Sequence, residues 1–352
     1  MNGILALARP EILTLAPAAA QTPDAASAVR LHANENPWAD EADDSPVALN
    51  RYFDGQPRAL VEALAGWYGV DPAGVLVTRG SDEAIDLLVR AFCRAGEDRI
   101  LVCPPTFGMY RFSAEVQGAG VLAVPLGRDF RLDADALVAR WTPDVKVVFL
   151  CSPNNPTGNA LEPDAVGRVL EALDGRAVVA IDEAYLEFSG QPGFLECLPR
   201  HPGLVILRTL SKAHGLAGAR CGAAIAAPAV VELLGRIMPP YAMPAPTVAA
   251  ARDALRPERL ARTRGRIGAI VAERGRLAAA LPALPGVRRV FPSDGNFLLV
   301  EFADAARALA AAAASGLQLR DFSRQPGLAG CLRITVGSHE ENDRLLAALG
   351  DA

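Results

Sequence analysis

The chain of 352 residues is poor in the residues that build metal centres and disulfide frameworks. Its four histidines, His32, His201, His214 and His339, form no close pair, and its six cysteines, at 93, 103, 151, 197, 221 and 331, include no Cys-x-x-Cys pair. A zinc centre takes three or four such ligands, usually at short spacings, so none is expected. The scattered cysteines read as reduced thiols of a cytosolic protein. No run of about 18 uncharged apolar residues occurs, so no membrane-spanning helix is expected. The first 28 residues carry short apolar pieces broken by Arg9, Pro10, Glu11 and Pro17, without the basic cluster and long apolar run of a secretory signal. A basic excess is missing too. Lys and Arg total 35 against 40 Asp and Glu, a net charge of −5, and without a basic stripe nucleic acid is not an expected partner.

What is present is enough apolar material for a large core. Hydrophobic residues make up 51% and charged residues 21%, and the length fits two domains or one large α/β domain with an annex. Residues 1–30, rich in Ala, Pro and Thr, read as an arm. Leu60, Ala63, Leu64, Trp67 and Tyr68 recur at helical spacing. Short apolar, often β-branched runs follow at 75–77, 100–102, 145–150, 178–181 and 204–207, with helical stretches between most of them. That alternation predicts a mostly parallel sheet wrapped by helices. Met238-Pro239-Pro240 breaks the rhythm. A long helix is then expected over 257–281, an Ala-rich helix over 305–314, and strands at 297–300 and 332–336. The expected fold is therefore α/β: an arm (1–30), a large domain (31–240) and a smaller α+β domain (241–352) completed by part of the arm.

The chemically informative residues follow the strand-like runs, where ligands bind in open parallel sheets. After residues 75–77 comes Thr78-Arg79-Gly80-Ser81-Asp82-Glu83 and then an apolar helix. Such a turn offers free N–H groups and a helix dipole to a phosphate, although Ser81 or Asp82 would equally serve as an ordinary helix cap. After 145–150 comes Ser152-Pro153-Asn154-Asn155-Pro156-Thr157-Gly158, after 178–181 Asp182-Glu183-Ala184-Tyr185, and after 204–207 Ser211-Lys212 with Gly215, Gly218, Arg220 and Gly222. Each alone reads as a turn, a helix start or a Gly-rich loop. Four such accidents do not account for the ordered set.

That ordered set resembles the fold-type I, class II aminotransferases that depend on pyridoxal 5′-phosphate. The resemblance runs from Leu31 to the C-terminus. It is closest to the histidinol-phosphate aminotransferases through Ala33-Asn34-Glu35-Asn36-Pro37, Asn50-Arg51-Tyr52, Cys103-Pro104-Pro105-Thr106-Phe107-Gly108-Met109-Tyr110 and Cys331-Leu332-Arg333-Ile334-Thr335-Val336-Gly337. It implies that Lys212 supplies the amine that holds the cofactor and later moves the substrate proton. Asp182 would keep the ring nitrogen protonated, and Asn155 and Tyr185 would serve the phenolic oxygen. Arg220, Ser211 and the amides of Ser81 and Asp82 at the helix start would hold the phosphate. Tyr52 would reach the neighbouring subunit's cofactor, implying a homodimer, and Tyr110 would lie near the cofactor ring. Arg320 and Arg333 would bind the substrate anion, with Asn34 and Asn296 at the border of the site. Three departures stand out: Ala18 where an arm tyrosine is usual, His214 where phenylalanine is usual, and Phe53 where proline is usual. The implied reaction is transamination between L-histidinol phosphate and 2-oxoglutarate, with no metal and no membrane or nucleic-acid partner. The alternatives are an aromatic amino-acid aminotransferase, a decarboxylase of the threonine-phosphate kind and a non-catalytic regulator. The last usually carries an added DNA-binding domain, for which this chain has no basic segment.

Overall fold

The computed structural model describes residues 3–16, 31–39, 47–52 and 55–350. Ala18 and Phe53 lie outside them. Among the described residues, eleven strands fall into two sheets.

The first sheet contains β1 (Val75–Thr78), β2 (Arg99–Val102), β3 (Gly120–Ala123), β4 (Val145–Cys151), β5 (Val178–Asp182), β6 (Leu204–Thr209) and β7 (Gly222–Ala226). Their spatial order is β1-β7-β6-β5-β4-β2-β3. Strand β7 runs antiparallel to both neighbours, and every other pairing is parallel. Strands β5 and β6 are buried along their whole length, which is why they read as unbroken apolar runs rather than as alternating ones. Successive residues serve opposite faces. Val148, Leu150, Ile181 and Ile206 join a core with helices α2 (Arg58–Tyr68), α6 (Pro163–Ala172) and α8 (Ala245–Ala254). Val147, Phe149, Ala180 and Leu207 join another, with α3 (Ser81–Phe92), α4 (Met109–Gln117) and α7 (Pro228–Ile237). Helices α1 (Pro10–Leu13) and α5 (Ala134–Arg140) complete this unit.

The second sheet, with order β10-β11-β9-β8, is antiparallel throughout. Its strands are β8 (Val287–Val290), β9 (Phe297–Phe302), β10 (Arg320–Asp321) and β11 (Cys331–Thr335). Helices α9 (Pro257–Ala280), α10 (Ala305–Ala314) and α11 (His339–Gly350) share a core with it, built from Leu277, Leu298, Val300, Leu332, Ile334 and Leu345. Two features tie the sheets together. Tyr185, Phe188, Ala213 and Phe297 form one buried cluster, and the Arg274 guanidinium donates to the carbonyls of Phe188 at 3.1 Å and Gly295 at 2.8 Å.

The expected α/β fold is the one found, and the five expected strands of the first sheet are present. Strands β3, β7, β8 and β10 go beyond the reading of the sequence. β7 reads Gly-Ala-Ala-Ile-Ala, whose small residues carry no strand signal. The described part of the arm packs on the first unit rather than the second. Ile4, Ala8 and Ile12 enter the core with α3 and α7. The Arg9 N–H meets the Ala91 carbonyl at 3.0 Å, and Arg236 Nη1 donates to the Leu13 carbonyl at 2.6 Å. No helix among the described residues is long and apolar enough to cross a membrane.

Candidate active site

Strands β1, β4, β5 and β6 end at the same edge of the sheet, and the antiparallel β7 begins there. Their flanking residues therefore converge. Ser81, Asp82, Asn155, Asp182, Tyr185, Ser211, Lys212 and Arg220 line one cleft of about 160 Å³, and Arg333 enters it from the second sheet.

One corner of the cleft is built for an anion. Helix α3 starts at Ser81 after Gly80 and has no side-chain cap, so its first N–H groups face the cleft without intrahelical acceptors. Arg220, held at φ 53°, brings its guanidinium to the same place. Nη1 lies 3.3 Å from Ser211 Oγ and 3.1 Å from the Ala217 carbonyl, and Nη2 lies 3.3 Å from Asp82 Oδ2. This approach requires glycine at two positions. A Cβ at Gly80 would sit 2.7 Å from Arg220 Nη2, and one at Gly222 would sit 2.7 Å from the Ser81 nitrogen. Thr209 braces the loop by accepting the Ser211 N–H at 3.1 Å.

Lys212 reaches into the open cleft, its Nζ 5.6 Å from the Tyr185 ring centre. Lost hydration, then the charges of Arg333 and Arg220, lower its pKa, with Asp82 and Asp182 opposing. The shift favours the neutral, nucleophilic amine. Asp182 is almost fully buried at the end of β5. Burial pushes its pKa up to about 6, against the pull of the Tyr110 hydroxyl, the Ala184 N–H and Lys212. Arg333 Nη1 donates to Asn155 Oδ1 at 2.5 Å. Asn154 holds the neighbouring loop in shape, donating to the Pro105 carbonyl at 2.8 Å and to Thr157 Oγ1 at 2.6 Å.

The sequence pattern described as "Aminotransferase class I and II" matches residues 22–349. The chain belongs to the class I and II aminotransferase family. It is 48% identical to the histidinol-phosphate aminotransferase of Stenotrophomonas maltophilia (strain R551-3), over 99% of this chain and 97% of that one. The histidinol-phosphate aminotransferase of Sinorhizobium meliloti, solved in complex with pyridoxal 5′-phosphate, is 27% identical, with a TM-score of 0.79 over 86% of this chain and 83% of that one. An L-threonine-O-3-phosphate decarboxylase from Porphyromonas gingivalis, at 24% identity and a TM-score of 0.74 over 86% of this chain and 90% of that one, shares the fold.

Pyridoxal 5′-phosphate is the cofactor of this aminotransferase, and the cleft fits it. A corner that admits no Cβ and gathers a guanidinium and a helix start suits the phosphate. A lysine with a lowered pKa stands ready for the aldehyde, and a buried carboxylate awaits a cationic partner.

Five expected site residues do not line this cleft. Tyr110 is fully buried on the inner face of α4, stacked on Phe149 at 4.7 Å between ring centres. Phe107, in the loop before that helix, lines the cleft instead. Arg320 is exposed on the two-residue β10, directly across the ladder from Arg333, so the two side chains share one face of the sheet while only Arg333 enters the cleft. Asn34 lies in an exposed stretch at φ 55°. Tyr52 is half-exposed and stacks on Tyr241 at 4.4 Å. Asn296 is likewise absent from the lining. His214 is buried against Trp67, edge to face at 4.6 Å, and burial pushes its pKa down to about 4. It is a neutral packing residue that adds no charge to the site. Cys151, Ala184 and Thr209 also line the cleft. Their position at or just beyond strand ends was the available signal.

Proposed function

We propose that this aminotransferase moves the amino group between L-histidinol phosphate and 2-oxoglutarate, giving imidazole-acetol phosphate and L-glutamate, a step of histidine biosynthesis. The end-to-end likeness to a histidinol-phosphate aminotransferase carries this reading, and Arg333 gives it a physical basis. Arg220, Ser211 and the amides of Ser81 and Asp82 at the start of α3 would serve the cofactor phosphate. A second cation is therefore free for the substrate. A guanidinium fork accepts a phosphate or a carboxylate equally, so one pocket can take the phosphate ester in one half of the reaction and 2-oxoglutarate in the other.

Lys212 would hold the cofactor through its side-chain amine. Freed when substrate binds, the Lys212 amine would move the proton between the substrate α carbon and the cofactor carbon that receives the amino group. Asp182 would hold the proton on the cofactor's ring nitrogen, while Asn155 and Tyr185 would donate to its phenolic oxygen. Bound pyridoxal phosphate supplies the electron sink for the charge left at the α carbon. Tyr52, which lies outside its own cleft, serves the cleft of a second copy, so the working form is a homodimer. The enzyme acts in the cytoplasm.

The test is a donor panel of histidinol phosphate, phenylalanine, tyrosine and threonine phosphate, with glutamate and carbon dioxide both followed. Preferred turnover of histidinol phosphate to glutamate is the expected result. Preference for phenylalanine or tyrosine would reassign the enzyme to aromatic amino acids, and carbon dioxide from threonine phosphate would make it a decarboxylase.

A further inference from the structure

Tyr110 combines full burial with a polar group that touches the site. Its ring lies flat on Phe149, at 4.7 Å and 4° between planes, and edge-on to Phe107 at 5.6 Å. Its hydroxyl donates to Asp182 Oδ2 at 2.9 Å. The other carboxylate oxygen, Oδ1, accepts the Ala184 N–H at 3.1 Å. An ionised carboxylate has about four acceptor positions, so two remain for the cleft that Asp182 lines. Packing alone would be met by phenylalanine. A buried hydroxyl is retained without cost only where it has a partner, and here the partner is a carboxylate that the cleft needs charged. Lys212 and Asp82 also act on Asp182 through their charges, and Cys151 lies beside it.

We infer that Tyr110 is a positioning residue: clamped by Phe149, its hydroxyl holds Asp182 ionised and correctly turned, so that Asp182 can keep the cofactor's ring nitrogen protonated. The inference rests on the proposed pairing of Asp182 with that nitrogen. Without the hydroxyl, one buried oxygen loses its donor and the carboxyl group shifts toward its neutral form. A neutral carboxyl group no longer favours a protonated ring.

The test uses holoenzyme loaded with pyridoxal phosphate carrying ¹⁵N in its ring, without substrate, in wild type, Tyr110→Phe, Asp182→Asn and the double variant. Tyr110→Phe keeps the stacking ring and should stay folded, with its melting curve as the check. In both single variants the ring-nitrogen resonance should move from the protonated toward the unprotonated position. With substrate, Tyr110→Phe should lower kcat about tenfold to a hundredfold, the worth of a hydrogen bond to a charged group, while KM stays within about twofold. In the double variant Tyr110→Phe should add no further loss to that of Asp182→Asn, because it acts through that carboxylate. A resonance that moves in Asp182→Asn but not in Tyr110→Phe, or losses that multiply in the double variant, would overturn the positioning role. A resonance unmoved by Asp182→Asn would instead overturn the pairing of Asp182 with the ring nitrogen, and the role of Tyr110 with it.

Discussion

Replacing Arg333 with glutamine is the sharpest probe of what the cleft is for. The guanidinium is held in place before any substrate arrives. Nη1 donates to Asn155 Oδ1 at 2.5 Å, and the Phe297 and Phe322 ring centres lie 5.3 Å and 5.6 Å from its central carbon. Nε is buried with no acceptor from the protein. Burial is the main influence lowering its pKa, with Tyr185 opposing. This is a cation that has given up water and still has donors to spend, which favours an incoming anion. A hydrogen bond to a charged group is worth about 1.5–3 kcal/mol, so losing one should lower kcat/KM for histidinol phosphate by roughly ten- to more than a hundredfold. Histidinol, which lacks the phosphate, should hardly change. The assay is the ratio of kcat/KM for the two substrates in wild type and variant. Arg333→Lys should fall between them, because it keeps the charge and loses the fork. Arg320→Gln should cost about fivefold or less, since an exposed charge across the ladder is screened by water. A folded Arg333→Gln protein that discriminates histidinol phosphate from histidinol as well as wild type does would refute the assignment of this arginine to the phosphate.

The remaining predictions concern the lysine, the dimer and acid stability. Lys212→Ala should abolish turnover with an unchanged melting temperature, and borohydride treatment of the wild type should attach the cofactor to the Lys212 peptide; label on any other peptide would refute the assignment. Mixing Lys212→Ala with Tyr52→Phe subunits should restore activity, because one cleft of each mixed dimer keeps both groups. No recovery, with mixed dimers demonstrated and both parents impaired, would place Tyr52 in its own subunit's service. His214 is buried with neither ring nitrogen hydrogen-bonded, and its pKa is pushed from 6.5 down to about 4. The folded chain thus binds fewer protons there than the unfolded chain between those values, so stability falls as pH drops through that window. His214→Phe should raise the melting temperature at pH 7, by relieving unpaired buried polar atoms worth about 1–3 kcal/mol, and the gain should grow toward pH 5. A gain that shrinks on acidification would contradict the neutral, buried state of this histidine.

The sequence by itself determined the strands buried on both faces, because such strands need apolar residues at every position and so announce themselves as short runs. It also marked the cleft-lining residues that are neighbours in the chain. Ser211 and Lys212, or Asp182 and Tyr185, are set by one local turn each, and local turns have sequence signatures. The tertiary structure decided what depends on distant segments or on helix phase. Arg220 reaches Asp82, 138 residues away, only because β7 returns antiparallel through a strand of small residues, and only because Gly80 and Gly222 leave room. Phe107 and Tyr110 stand three residues apart in one word, yet the start of α4 between them turns one into the cleft and the other beneath it. Arg320 and Arg333 read alike in the sequence. Register in the second sheet sets them side by side, and burial beside Phe297 and Phe322 gives only Arg333 to the site.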